Sequence, residues 1–227
     1  MVNILISGYY GFDNIGDESI LRTLVSSLRE HIPDCSLTVL SHNPASTREK
    51  YGVEAVDRMS PMAILRAVKK CDMLISGGGS LLQDVTSSKS LHYYLSIIRC
   101  AEFFHKKVFI YSQGIGPIDR PGNRRAAAAA LKRADGIVVR DERSAALLEE
   151  IGIARDKVVI TADPVIRMKK PDGDVGAEIL RKAGVSLDGR LTVGWAIRER
   201  DTDSRFVKEL LRSIQMMKDK YNAQSVL

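Results

Sequence analysis

Short, uniformly apolar runs rich in β-branched residues alternate along this sequence with longer amphipathic stretches. Val2–Ser7 (VNILIS) precedes Asp17–Arg29, where Ile20, Leu21, Leu24, Val25 and Leu28 fall at i, i+1, i+4, i+5 and i+8, one face of a helix. Leu37–Ser41 reads as the next strand, broken by Asn43–Pro44, and Val53–Val56 as a short third. Ser60–Pro61 is a helix start, a capping serine before a proline at the first helical position, with the helix running to Lys70. The alternation continues as strand Met73–Ser76, helix Ser88–Phe104, strand Val108–Tyr111, helix Asn123–Arg133, strand Ile137–Val139, helix Glu142–Ile151 and strand Val158–Thr161. Strands without a polar face, separated by helices, are strands of a parallel sheet covered on both sides. The expected fold is therefore α/β, a Rossmann-like parallel sheet with helices on both faces, over residues 1–166.

Residues 167–174, around MKKPDGD, are polar with Pro and Gly and read as a linker. Residues 175–227 then hold a helix (Val175–Ala183), a strand (Leu191–Ile197), a helix (Ser204–Lys220) and, at Gln224–Leu227, the point where a further strand would begin. One strand with two helices cannot bury its apolar faces alone, so this is expected to be the opening of a second, truncated α/β domain.

Composition narrows the function classes. Three distant cysteines (Cys35, Cys71, Cys100) form no CxxC pair, and an odd count argues against a disulfide framework. Four scattered histidines give no zinc spacing. No basic leader opens the chain, and no apolar run reaches the about 18–20 residues that span a bilayer, so the expected compartment is cytoplasmic. The net charge of +6 is dispersed among nearly as many acids, and aromatics make up only 6%. Stacking platforms for nucleic acid are not expected; an acidic or phosphorylated small substrate fits better.

In open parallel sheets ligands bind beyond the carboxyl ends of the strands, and four strand ends here carry unusual sequence. The first, GYYGFDNIGDE, has glycines at Gly8, Gly11 and Gly16 but not the GxGxxG spacing of a dinucleotide site. Asp17 and Glu18 start its helix. There they either balance the helix dipole or, with Asn14, bond sugar hydroxyls and take a proton. The second, Gly77–Gly78–Gly79–Ser80 followed by Gln83 and Asp84, is either a positive-φ turn or a row of free N–H groups facing a ligand. The third, Gln113–Gly114–Ile115–Gly116–Pro117, places Gln113 to point a carboxamide at the same crevice. In the fourth, Arg140 ends a strand, where its fork holds either an anionic ligand or a neighbouring acid such as Asp141. Ser144 reads as a helix-start residue, since no GxSxG elbow surrounds it. Asp163–Pro164 and Arg198 end later strands, and Asp201–Thr202–Asp203 has the form of a metal-binding DxD, a weak signal in a charged loop.

Taken together, SGYYGFDNIGDE, ISGGGSLLQD, YSQGIGP, VVRDERS and TADP resemble, in order and placement, the motifs of polysaccharide pyruvyl transferases, nearest to the CsaB-type enzymes of bacterial cell walls. The resemblance covers nearly the whole chain. It implies the N-terminal half of a GT-B-like two-domain architecture with the site in the cleft. It also implies transfer of the enolpyruvyl unit of phosphoenolpyruvate to a polysaccharide sugar. The CsaB-type product resembles a 4,6-ketal on N-acetylmannosamine, an anchor for surface-layer proteins. Arg140 matches the arginine of the family's RDxxS segment and is assigned by that resemblance to donor binding, with Arg198 a second candidate. Gly11, Asn14, Gly16, Gly78, Gly79, Ser80, Gln83, Gln113 and Gly114 are assigned to the acceptor, and Asp17 and Glu18 to proton transfer.

No cofactor or metal is implied. The expected partners are phosphoenolpyruvate and a free or lipid-linked polysaccharide repeat containing N-acetylmannosamine; no nucleic acid is expected. The basic surface is compatible with peripheral contact at an anionic inner leaflet. The family's general-acid histidine and a donor lysine belong to the second domain, and none of the four histidines here matches. The chain alone is thus expected not to turn over. A sugar-nucleotide glycosyltransferase of the same architecture and a non-enzymatic anionic-glycan module are the alternatives.

Overall fold

Seven strands, β1 (Val2–Tyr10), β2 (Cys35–Ser41), β3 (Glu54–Asp57), β4 (Met73–Ser76), β5 (Lys107–Gln113), β6 (Gly136–Val139) and β7 (Val158–Ile160), lie side by side in the order β3-β2-β1-β4-β5-β6-β7. Every pairing is parallel. These strands belong to the first of two compact units, Met1–Met168 and Lys169–Leu227, in a computed structural model that describes residues 1–170, 173–197 and 204–227.

Strand β1 shows why the apolar runs are uninterrupted. Successive side chains point to opposite faces. Leu5 joins one apolar cluster while Ile4 and Ile6 join another. Helices α3 (Pro61–Lys70), α4 (Ser88–Phe103), α5 (Pro121–Leu131) and α6 (Glu142–Glu150) feed the first cluster through Val68, Leu91, Leu131 and Leu148. Helix α1 (Ile15–His31) feeds the second through Leu21, Leu24 and Val25. Both faces are covered, so a polar residue at either would be buried.

The capping signals act as the sequence implies at α3, where Ser60 accepts from the Ala63 N–H and Pro61 opens the helix. The sequence reading treated Asn43–Pro44 only as a break, whereas Pro44–Tyr51 forms helix α2, capped by Asn43. Its segment PASTREKY buries only Thr47 and Tyr51, so no apolar stripe announces it.

The second unit holds α7 (Gly173–Lys182), β8 (Thr192–Gly194), α8 (Ser204–Tyr221) and β9 (Gln224–Val226). Residues 224–226, where a further strand is expected to begin, form a strand that pairs in parallel with β8, while β8 is shorter than the expected 191–197. No residue of α7 or α8 is buried. Among the described residues no helix is long and apolar enough to cross a membrane.

Candidate functional site

The chain runs from β1 outward to β3, then returns to place β4 on the other side of β1. That reversal opens a crevice at the strand carboxyl ends between β1 and β4. The glycine loop after β4 borders it. Gly79 has φ +84°, and a Cβ there would fall 2.8 Å from Asp17 Oδ1. Only a residue without a side chain admits both the conformation and the carboxylate. Gly78 is buried against Ile20. Gly114 N–H donates to the Gly79 carbonyl at 2.9 Å, which ties the loops after β4 and β5 together.

The two acids at the start of α1 have opposite fates. Glu18 is spent internally: Oε1 accepts from the Gly11 N–H at 2.8 Å, and Oε2 accepts from the Tyr51 hydroxyl. Asn14 is the helix cap, its Oδ1 accepting from the N–H groups of Gly16 (3.1 Å) and Asp17 (3.2 Å). The Asp17 carboxylate takes no hydrogen bond and no ion pair among the described residues. Burial, with repulsion from Glu18 and Asp163, pushes its pKa up to about 6 against the opposing pull of Arg140. Behind it the fully buried Tyr10 hydroxyl has no partner, and burial first, then the Asp17 charge, hold that phenol above its ordinary range.

Arg140 leaves β6 and reaches across the strand ends. Its Nη1 donates to Asp163 Oδ2 at 2.9 Å and its Nη2 to Ser80 Oγ at 3.0 Å, with Asp141 3.6 Å from Nε. Both readings of this arginine are thus present: neighbouring acids balance it, yet among the described residues Nη1 and Nη2 each make one hydrogen bond, Nε faces Asp141 at 3.6 Å, and each Nη keeps a second N–H. A Cβ on Gly114 would fall 2.7 Å from Nη2, so the bare backbone of that loop is what admits the guanidinium. Arg140, Arg124, Arg143 and Ser80 line a groove of about 390 Å³ with the 114–117 loop. Arg124 pairs with Glu150 at 3.2 Å, whereas Arg143 forms no ion pair among the described residues. Nothing in the spacing of RDERS distinguishes Arg143 from an ordinary solvated helix residue. Its placement in the first turn of α6, facing the groove, singles it out.

Other expected site residues turn inward. Gln113 is fully buried, its amide donating to Ser76 and Gly77, so it ties β5 to β4 instead of facing the crevice. Gln83 closes its own turn on Thr86. Ser144 is buried, accepting from the Ile115 N–H and donating to Asp141 Oδ1 at 2.7 Å, which fixes the 114–117 loop to α6. Asp84 does similar work, accepting from the N–H groups of Asp119 and Arg120 and from Asn123. Arg198 and Asp201–Thr202–Asp203 lie outside the described residues. Among those described, no group of three or more His, Cys, Asp or Glu is placed to hold a metal ion.

Solved structures with the same fold include Anabaena Alr3699/HepE in complex with UDP-glucose (11% identity, TM-score 0.60, covering 100% of this chain and 69% of that one). They also include the S. aureus MnaA–UDP co-structure (13%, 0.62, 99% and 61%). At such identities the likeness is one of fold, that of a Rossmann-like GT-B half. The Amylovoran biosynthesis protein AmsJ of Erwinia amylovora is 24% identical over 87% of this chain. The chain spans 57% of that relative's length. The family model for polysaccharide pyruvyl transferase matches residues 14–221, from the cap of α1 to the end of α8. The chain therefore belongs to the polysaccharide pyruvyl transferase family.

Proposed function

We propose that the protein transfers pyruvate from phosphoenolpyruvate to a polysaccharide sugar as a cyclic ketal. The observation that carries this reading is the juxtaposition, at one crevice, of an arginine with donors to spare and a half-buried carboxylate without a partner. Phosphoenolpyruvate carries a phosphate and a carboxylate, and Arg140 and Arg143 offer the cationic surface to hold them. In the reaction C3 of the donor gains a proton, two sugar hydroxyls add to C2, and the C2–O bond to phosphate breaks. Of the two protons the hydroxyls lose, one is balanced by the new methyl group and one by the departing phosphate. Asp17 suits the acceptor side. A carboxylate with a pKa of about 6 is ionised at neutral pH yet more basic than an ordinary aspartate, so it takes a hydroxyl proton more readily.

Within this reading the acceptor is N-acetylmannosamine of a cell-wall polysaccharide and the product a 4,6-ketal that anchors surface-layer proteins. Asn14, Gly11, Gly16 and the Gly78–Gly79–Ser80 loop frame the acceptor side. Glu18 and Gln113 shape that frame from behind.

The test is phosphate release from phosphoenolpyruvate by the full-length protein with a synthetic β-N-acetylmannosaminide, wild type against Arg140→Ala. Acceptor-dependent release that falls by about 10²-fold or more in the variant supports the proposal. No release with any N-acetylhexosamine acceptor, together with consumption of a UDP-sugar, would replace it with glycosyl transfer.

A further inference from the structure

The crevice does not account for the other half of the strand-end rim, over β1, β2 and β3. Tyr9 leaves β1 with its ring outward, 40% exposed between buried neighbours. Gly11 then turns at φ +80°, where a Cβ would fall 2.2 Å from Ser41 Oγ, so the loop lies flat against the end of β2. The result is that Phe12 slots between Tyr9 and His42. Its ring centroid is 4.1 Å from that of Tyr9 with 6° between the planes, and 4.3 Å from that of His42 with 4°. None of the three rings belongs to either apolar core cluster.

Beneath them lies Arg58, only 6% exposed. Its Nη1 donates to the Gly8 carbonyl at 2.9 Å and its Nη2 to the Tyr94 hydroxyl at 3.2 Å, while Nε has no acceptor. No carboxylate of the described residues pairs with it. The guanidinium carbon sits 5.2 Å from the Phe12 centroid and 5.6 Å from that of Tyr9. Burying a charge without a counter-charge is costly, and ring faces offset part of that cost. The arrangement locks two rings in place at the surface, which is preorganisation without a structural need from the core.

Flat, rigid, partly exposed aromatic surface beside a few polar groups is what binds a ligand with an apolar face and a hydroxyl rim. A pyranose ring has both. A nucleotide would also stack, but Asp17 and Glu18 in the first turn of α1 repel a phosphate from the adjoining helix start. Asn14 ends the β1–α1 connection that carries Phe12, and Asp17 stands in the first turn of α1 directly after it, so a chain of sugars can run from the carboxylate onto the rings.

We propose that the Tyr9–Phe12–His42 stack, held by Arg58, is a carbohydrate subsite that takes the pyranose next to the sugar facing Asp17. This rests on the polysaccharide reading above. The test is calorimetric titration of the whole protein with methyl glycosides of N-acetylmannosamine, glucose and galactose, and with disaccharides ending in each. A disaccharide is expected to bind at least ~10-fold tighter than its monosaccharide. Tyr9→Ala and His42→Ala are expected to abolish that difference while leaving phosphoenolpyruvate binding unchanged. Circular dichroism reports folding, and the exposed His42 keeps the test open should Tyr9→Ala unfold. Equal affinity for mono- and disaccharide, no loss in the folded variants, or ring-dependent binding of uridine in place of sugars would overturn the proposal. Ring-dependent disaccharide binding without phosphate release would remove pyruvyl transfer and keep the subsite. Phosphate release with ring-independent binding would do the reverse.

Discussion

Arg58 and Arg140 occupy equivalent places, each the first residue after a strand, β3 and β6 respectively. Their surroundings differ in every other respect. Arg140 has a side chain 30% exposed, two acids beside it and a groove in front. Arg58 is buried, pairs with no acid among the described residues, and lies against the rings of Tyr9, Phe12, Tyr93 and Tyr94. A guanidinium balanced by exchangeable acids at a wet edge can hand part of its coordination to an incoming anion. One held by a backbone carbonyl, a phenol and ring faces cannot, and serves to build a surface. On the proposed reading the rim divides into a cationic half for the donor and an aromatic half for the acceptor, with Asp17 between them.

Asp17 is where the division can be broken with the largest effect. Asp17→Asn keeps the shape and removes the proposed base, and kcat is expected to fall by about 10²–10⁴-fold. In the wild type kcat/KM should rise with pH through about 6, a limb absent from the variant. Arg140 lowers this pKa and Arg58 is not among its causes, so Arg140→Ala should move the limb upward and Arg58→Leu should leave it in place. Stability carries the opposite sign. The folded pKa lies above the unfolded value of 3.8, so between about 4 and 6 the native state binds more protons, and stability falls as pH rises through that window. Asp17→Asn is therefore expected to be more stable than wild type at pH 7. After discounting for solvent screening the gain is about 1 kcal/mol, read by urea denaturation. A variant that is both active and less stable would sink the assignment.

Stability separates the two arginines themselves. Arg58→Ala removes two buried hydrogen bonds and leaves a void among four rings, and should cost about 2–4 kcal/mol. Arg140→Ala removes partly exposed ion pairs and should cost less than about 1 kcal/mol. Equal losses would mean that the two halves of the rim are not built differently.

How much of this was legible follows from which residues announce themselves by pattern. The sheet was readable because each core strand, buried on both faces, must be apolar throughout, and five helices of the sheet unit were bounded by caps or apolar stripes. Helix α2 was not, because a short helix with two buried residues has no stripe. At the site, glycine clusters and Arg140 marked the strand ends correctly, since only unusual backbone needs such sequence. Direction was not legible. Gln113 and Asp17 look alike as polar residues after a strand or at a helix start, and only packing turns one inward and leaves the other facing the crevice. The aromatic stack was invisible for a related reason. Tyr9 comes from the end of β1 and Phe12 and His42 from two loops, and nothing in their spacing says that the Gly11 turn brings the rings together.

The smallest expected effect tests whether Glu18 belongs to the aromatic half although it neighbours Asp17 in sequence. Its carboxylate fixes Gly11, and Gly11 sets where Phe12 lies. Glu18→Gln retains an oxygen for the Gly11 N–H but loses the charge that strengthens it and turns the Tyr51 contact around. The loss is expected to be about 1 kcal/mol, a Tm lower by about 2–4 °C for a chain of this size. Phosphoenolpyruvate affinity should be unchanged, and disaccharide affinity should fall by less than in Tyr9→Ala. If donor affinity falls instead, Glu18 acts at the cationic half with Asp17, and the boundary between the two halves lies one residue later in α1 than drawn here.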